Sequence, residues 1–419
     1  MRTHPRATRA ALPSPAAARP ALPSPAAARP ALSSPAAGPA RLLPTAARAT
    51  RAARLLPVAV LAAALAAGAC DDDNAAAPPA PLAGASGAPS AGTGGTGGGT
   101  AGAGGGTAGA GGGTAGAAGA PTTVTPAAPP AGFAHAFAEV DGVRLHYVIG
   151  GQGPALVLLH GWPQTWYEWN RLLPDLAGEY TVIAPDLRGA GESDKVPLPG
   201  GYDKHTLARD VHGIVQGLGH ASAFVVGHDI GGMVAYAYAV DYPAETRALG
   251  VFDVPLPGVE PFWSQVNSLA WHFGFHNEPE LPEQLVAGRE REYLTHFYDV
   301  FSMTPGVFRA DEIDEFVRAY SAPGAMRGGF DWYRAFGADA AANAASQATK
   351  LTMPVLGLHG DRGGTVGNFS VEQMQQVAVD VRGGGIVGSG HWLAEEKPEE
   401  LSQRLRAFLA EVSAAPPAP

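Results

Sequence analysis

No Phe, Trp or Tyr occurs in this chain before Phe133, so anything that folds around a large hydrophobic core must begin near there. The first 130 or so of the 419 residues are mostly Ala, Pro, Gly, Thr and Arg. Such sequence cannot bury enough apolar surface to offset the entropy of ordering a chain. From about Gly132 the aromatics and aliphatics appear, and residues 132–415 are long enough for one large core. Charge divides as sharply. All 38 acidic residues lie beyond Cys70 with only 19 of the 28 basic ones, a formal charge of −19 for that part. A polyphosphate would be repelled by such a field, which sets nucleic-acid binding aside.

Cys70 is the only cysteine, so no intramolecular disulfide can form. Arg48, Arg51 and Arg54 precede an apolar run from Leu55 to Ala69, and Ala67-Gly68-Ala69 lead into the cysteine. A basic region, a short apolar region and small residues make an export signal too short to span a membrane. The cysteine at its end resembles a bacterial lipobox, although Ala67 stands where leucine is commoner. That resemblance implies cleavage before Cys70 and its lipidation as a membrane anchor; plain secretion into the periplasm or medium is the alternative. Residues 1–70 are thus expected to be an N-terminal extension plus signal. They include a decapeptide repeat, ALPSPAAARP, which leaves the true start codon open. Residues 71–131, with GTAGAGG repeats, read as a flexible tether.

Beyond the tether, strand and helix signals alternate. Val143–Val148 has period-two patterning. Short apolar runs recur at Ala155–Leu159, Tyr180–Ala184, Ala223–Gly227, Ala248–Phe252, Met353–Leu358 and Gly385–Gly388. Helical stretches are predicted at Trp166–Leu176, His205–Leu218, Met233–Val240, Val371–Val381 and Pro398–Val412. Continuous apolar strands separated by helices indicate an α/β fold with a mainly parallel sheet flanked by helices. Residues 255–346 are rich in aromatics and helical signals and show no clear strand, which suggests an inserted helical cap.

The strongest chemical signal is Val225-Val226-Gly227-His228-Asp229-Ile230-Gly231-Gly232, between a buried strand and a helix of small residues. This is the context of a nucleophile elbow, usually Gly-x-Ser-x-Gly, with Asp229 in the serine's place. The flanking glycines suit a turn with no room for a Cβ. The helix start directs N–H groups at Asp229, which suits an anionic side chain. A carboxylate there displaces a leaving group at saturated carbon and becomes esterified, so activated water must then attack its own carbonyl.

With this elbow the fold class resembles the α/β-hydrolase superfamily, and the resemblance locates the other groups. His160-Gly161-Trp162-Pro163 resembles its oxyanion loop, implying that the backbone N–H groups of Trp162 and Ile230 hold the oxyanion. Gly388-Ser-Gly-His391 follows the last strand, where the family carries its catalytic histidine, the base for water. Two residues compete for the acid. Asp253 ends the sixth strand, and Asp361 lies in His359-Gly360-Asp361-Arg362-Gly363, two residues before the family's commoner position. Asp253 is preferred. Asp186-Leu-Arg188-Gly-Ala-Gly191 also matches a family signature and reads as loop architecture.

From Gly132 to about Ser413 the chain resembles the α/β-hydrolase epoxide hydrolases, most closely the secreted Cif type. Glu139-Val-Asp-Gly-Val-Arg-Leu-His-Tyr, Gln164-Thr-Trp-Tyr-Glu-Trp, Gly227-His-Asp-Ile-Gly and Trp271-His-Phe carry the likeness. It implies that His272 and Tyr333 donate hydrogen bonds to the epoxide oxygen. Two departures, Asp253 for a glutamate and Pro163 in the oxyanion loop, bar transfer of substrate preference. A dehalogenase is the rival reading. Fluoroacetate dehalogenases place arginines after the nucleophile to grip a carboxylate, where this chain has Ile230, Met233 and Val234. A surface-tethered binding protein would not need the triad. Phe262, Trp263, Trp271, Phe273 and Phe275 suggest an apolar pocket, although such residues also pack helices. Epoxide and water are the expected partners, with no cofactor or metal; a homodimer is implied by resemblance alone.

Overall fold

A computed structural model describes residues 125–196, 201–361 and 369–414. Cys70, the expected signal and the expected tether up to residue 124 lie outside these residues; residues 125–131 of the expected tether are described, and Ala127 N–H donates to Glu315 Oε2 at 3.2 Å, so that end of the segment is held by the cap. Eight strands form one sheet: β1 (Phe133–Val140), β2 (Val143–Gly151), β3 (Ala155–Leu159), β4 (Thr181–Pro185), β5 (Ala223–His228), β6 (Thr246–Phe252), β7 (Val355–Gly360) and β8 (Val381–Ile386). Their spatial order is β1-β2-β4-β3-β5-β6-β7-β8. β2 runs antiparallel to β1 and β4, and every other pairing is parallel. Residues of β3, β5 and β7 are buried throughout, as expected of parallel strands covered on both faces.

The helices of the body are α1 (Leu173–Leu176), α2 (Lys204–Gly217) and α3 (Ile230–Asp241) before the cap. The cap carries α4 (Phe262–Leu269), α5 (Trp271–Asn277), α6 (Leu281–Val286), α7 (Glu290–Phe301), α8 (Ala310–Tyr320), α9 (Ala325–Arg334) and α10 (Phe336–Ser346). α11 (Ser370–Val377), α12 (Leu393–Glu396) and α13 (Pro398–Ala414) complete the body. All cap helices lie between β6 and β7, and residues 255–346 contain no strand. Two apolar clusters line the sheet. One joins α2 and α3 to aromatic residues of the cap such as Phe297, Phe330 and Trp332. The other packs Trp166, Trp169, Leu401 and Leu405 against β3, β4 and β5. Tyr298 Oη donates to Pro163 O at 2.8 Å, and Tyr320 Oη to Gln164 O at 3.1 Å. These bonds tie the cap to the loop after β3.

Three expectations need correction. β1 was not anticipated; its Ala-rich run has a single β-branched residue, Val140, of the kind that marks a strand. The stretch predicted as a helix over Trp166–Leu176 is a 3-10 turn over Trp166–Arg171 followed by α1. Pro174, near the start of α1, has no N–H to continue an earlier helix. The last strand lies at Val381–Ile386 rather than Gly385–Gly388, and α11 ends at Val377. Glycine-rich sequence hid that strand. A Cβ at Gly383 would stand 1.8 Å from Gly357 O on β7, so glycine is required there by close approach.

Candidate active site

Asp229 sits between the end of β5 and the start of α3 with φ of 49°, in the region that L-residues seldom occupy. The flanking glycines explain how so tight a bend is accommodated. A Cβ on Gly227 would lie 2.0 Å from Gly231 O, and one on Gly231 2.2 Å from Leu159 O. The bend pushes the Asp229 side chain toward the β3 loop, where Trp162 N–H donates to its Oδ1 at 2.9 Å. Gly161 makes this approach feasible, since a Cβ there would meet Asp229 Cβ at 2.5 Å. Ile230 opens α3 immediately after Asp229, and the first N–H groups of a helix have no partner within it.

His391 lies on the loop after β8, held by its own N–H donating to Phe301 O of the cap at 2.9 Å. Its Nδ1 is 2.6 Å from Asp253 Oδ2, and its Nε2 is 3.8 Å from Asp229 Oδ2. Asp253, with φ of 44°, also accepts the Gly360 N–H at 3.2 Å. The other candidate acid is occupied elsewhere. Asp361 Oδ1 accepts the Gly388 N–H at 2.9 Å and bridges the turns after β7 and β8. Asp186 accepts from Trp166 N–H, Glu192 N–H and His146, which makes its loop a structural knot away from the cavity. Burial alone would raise the Asp186 carboxyl, but its bond to His146 pulls it well below the carboxylate range.

A cavity brings the body and cap residues together. Asp229 and His391 line it from the body, and His272 on α5 and Tyr333 on α9 line it from the cap. Trp162, Val266, Phe273, Phe297, Phe301 and Trp392 make its remaining walls largely apolar. Among the described residues, no lysine or arginine lines it. Burial drives the His272 imidazole down to about 4, overriding the opposing pull of Asp229. Its Nδ1 is buried without a hydrogen-bond partner among the described residues. Burial, then the Asp229 charge, pushes the Tyr333 hydroxyl well above its ordinary value. Both groups therefore stand neutral at physiological pH and keep a proton to share.

Of the aromatic residues singled out in the cap sequence, Phe273 lines the cavity. Trp263 packs on Phe336, Phe262 on Phe369, Phe275 on Tyr293, and Trp271 is 54% exposed. Phe297, Phe301 and Trp392 escaped the sequence reading; nothing but their place on α7 and beside His391 distinguishes them from packing residues. Among the described residues no group of three His, Cys, Asp or Glu side chains is placed to hold a metal ion.

A family described as alpha/beta hydrolase fold matches residues 154–398. The chain is 38% identical over 283 residues to a soluble epoxide hydrolase of Corynebacterium sp. (strain C12), covering 66% of this chain and 97% of that protein. A fluoroacetate dehalogenase of Burkholderia sp is 31% identical over 296 residues, covering 67% and 95%. Among solved structures, wild-type Cfl2 from Burkholderia cenocepacia superimposes with a TM-score of 0.61 at 39% identity, covering 68% of this chain and 99% of that one.

Proposed function

This chain belongs to the α/β-hydrolase family and is a hydrolase, and we propose that it opens an epoxide to a vicinal diol through an ester on Asp229. The observation that carries the reading is a carboxylate at the elbow, flanked by an N–H donor at 2.9 Å and an Asp-backed histidine at 3.8 Å. A serine in that place would need the histidine to remove its proton. An anionic carboxylate does not, so His391 is free to serve water.

In the first half, an Asp229 oxygen attacks a ring carbon of the epoxide, and the carbon–oxygen bond breaks on the far side. The leaving oxygen collects negative charge. Tyr333 and His272 meet it with hydrogen bonds, and one supplies the proton that makes the hydroxyl. In the second half, His391 Nε2 takes a proton from water, and the hydroxide attacks Asp229 Cγ. The oxygen that becomes anionic is held by Trp162 N–H and Ile230 N–H, while Asp253 steadies the imidazolium through Nδ1. Collapse of the intermediate expels the diol alkoxide, which takes the proton from His391, and the proton left on the Asp229 carboxyl passes through solvent to the cap donor, restoring both groups. One carboxylate oxygen of Asp229 now comes from water.

The nearly uncharged wall favours a neutral, apolar epoxide. It also argues against fluoroacetate, because a substrate carboxylate would meet no lysine or arginine among the described residues of the cavity wall. The dehalogenase relative keeps a second reading in play, a neutral haloalkane attacked by the same Asp229. A Cif-type specialisation rests on the quoted motifs. Export and a lipid anchor at Cys70 belong to the same proposal.

Replacement of His391 separates the halves. His391→Gln treated with styrene oxide is expected to gain one substrate mass on Asp229, seen by intact-mass and peptide analysis, and to release no diol. No adduct on a folded variant removes the mechanism. Free halide from haloalkanes, with no diol from any epoxide, selects the second reading.

A further inference from the structure

Behind the cavity lies a buried layer of charge that the proposed reaction does not use. His228, immediately before Asp229, is 2% exposed, and its ring centroid lies 4.5 Å from that of His391. Its Nε2 is 2.8 Å from the main-chain carbonyl oxygen of His391. Its Nδ1 is 3.1 Å from Glu168 Oε1, an ion-pair contact whose alignment falls short of a hydrogen bond. The second carboxylate oxygen of Glu168 accepts the Gly161 N–H at 2.9 Å. Glu168 is 1% exposed. One ring thus faces a carbonyl on one side and a carboxylate on the other, both acceptors only. A neutral imidazole would turn a lone pair toward one of them, so the imidazolium is the form that suits both neighbours.

We propose that Glu168 and His228 form a buried positioning pair that ties the turn carrying Trp162 to the loop carrying His391. By this tie the oxyanion donor and the base stay in register while the ester on Asp229 is hydrolysed. The inference rests on the two-step reading above. Gly161 is the neighbour of Trp162, whose N–H meets Asp229, and the accepting carbonyl belongs to His391 itself. The pair therefore grips both loops at the main chain, through the Gly161 N–H and the His391 carbonyl.

The surrounding charges fit an imidazolium. Burial alone would lower His228, but Glu168, then Asp229 at the elbow and Asp253 at the end of β6, raise it to about 9. From α12, Glu395 faces the same layer, its Oε1 2.5 Å from Gln164 Nε2. Burial, then repulsion from Glu168, pushes the Glu395 carboxyl well above its ordinary value, with His228 opposing.

The test uses the full chain and rapid-quench mass spectrometry with styrene oxide, following formation and loss of the Asp229 ester. Glu168→Gln keeps an acceptor for Gly161 N–H but removes the charge; His228→Gln removes the ring. Each is expected to slow ester hydrolysis about tenfold or more, with ester formation changed less than about threefold. Glu168→Gln with His228→Gln is expected to be no slower than the slower single variant, because both act through one contact. Equal slowing of the two steps, unchanged hydrolysis, or multiplying effects overturns the pair.

Ring resonances of His228 in the wild-type chain provide an arm that needs neither variant nor ester. An imidazolium at neutral pH, titrating near 9, is expected; a neutral ring at neutral pH overturns the proposal. If wild type forms no ester, the reaction itself fails, and the ring titration still decides the pair.

Discussion

Two aspartates hold positive φ at the ends of neighbouring strands, Asp229 after β5 and Asp253 after β6. Such backbone costs free energy, on the order of 1 kcal/mol or more, and persists only where the surroundings enforce it. Here Asp229 N–H donates to Phe252 O and Asp253 N–H to Leu358 O, so each bend is locked by the next strand. Asp253→Asn should leave the fold intact but present His391 with the wrong partner, slowing ester hydrolysis by roughly 10³-fold or more. Asp361→Ala should change turnover less than about threefold while costing about 1 kcal/mol of stability through the lost Gly388 contact. Steady-state turnover and denaturant unfolding of both variants check the contrast. Sequence alone left these two residues competing because β6 and β7 are adjacent and end at the same edge of the sheet. Only the direction of each side chain separates them, and spacing along the chain does not encode that.

Between strands and helices, turns explain both what could be read and what could not. The elbow was legible because Gly227 and Gly231 have a steric reason to be glycine and stand at a fixed distance from Asp229. β1 was also recoverable in principle: Asp141-Gly142, with φ of 50° and 77°, is a hairpin turn between β1 and β2. Its alanines gave too little alternation to draw attention. Partner strands decide β8, since Gly383 makes sense only beside Gly357 of β7. Glu168 and His228 were equally hidden; one reads as a helix-surface residue and the other as a spacer in the motif. Gly161 carries a testable consequence for the β3 loop. Gly161→Ala sets a Cβ 2.5 Å from that of Asp229 and displaces the proposed nucleophile, so turnover should fall about 100-fold or more. Gly178→Ala, where a Cβ meets nothing within 4 Å, should not alter it. Loss of activity in both, measured on the same epoxide, would remove the steric explanation.

At the scale of the molecule, the sheet brings Asp229, Asp253 and His391, the proposed nucleophile, acid and base, together from three strand ends, and the cap adds His272, Tyr333 and an apolar wall. All of these groups lie after residue 125, and the partition of aromatic residues in the sequence marks the same division. A chain starting at Thr125 should therefore fold and match the full chain in kcat/KM within about twofold, because its core is complete. A drop beyond tenfold in a well-folded truncation would mean that earlier residues serve catalysis. The cap was anticipated as a helical insertion, but the residues that wall its cavity were not, since burial against a ligand and burial against another helix leave the same apolar signature. The account stands most directly on isotope placement. In a single turnover in heavy-oxygen water, the label should appear in the Asp229 carboxylate, with the first diol carrying ordinary oxygen. Label in the diol alone, with Asp229 unlabelled, would contradict an ester intermediate.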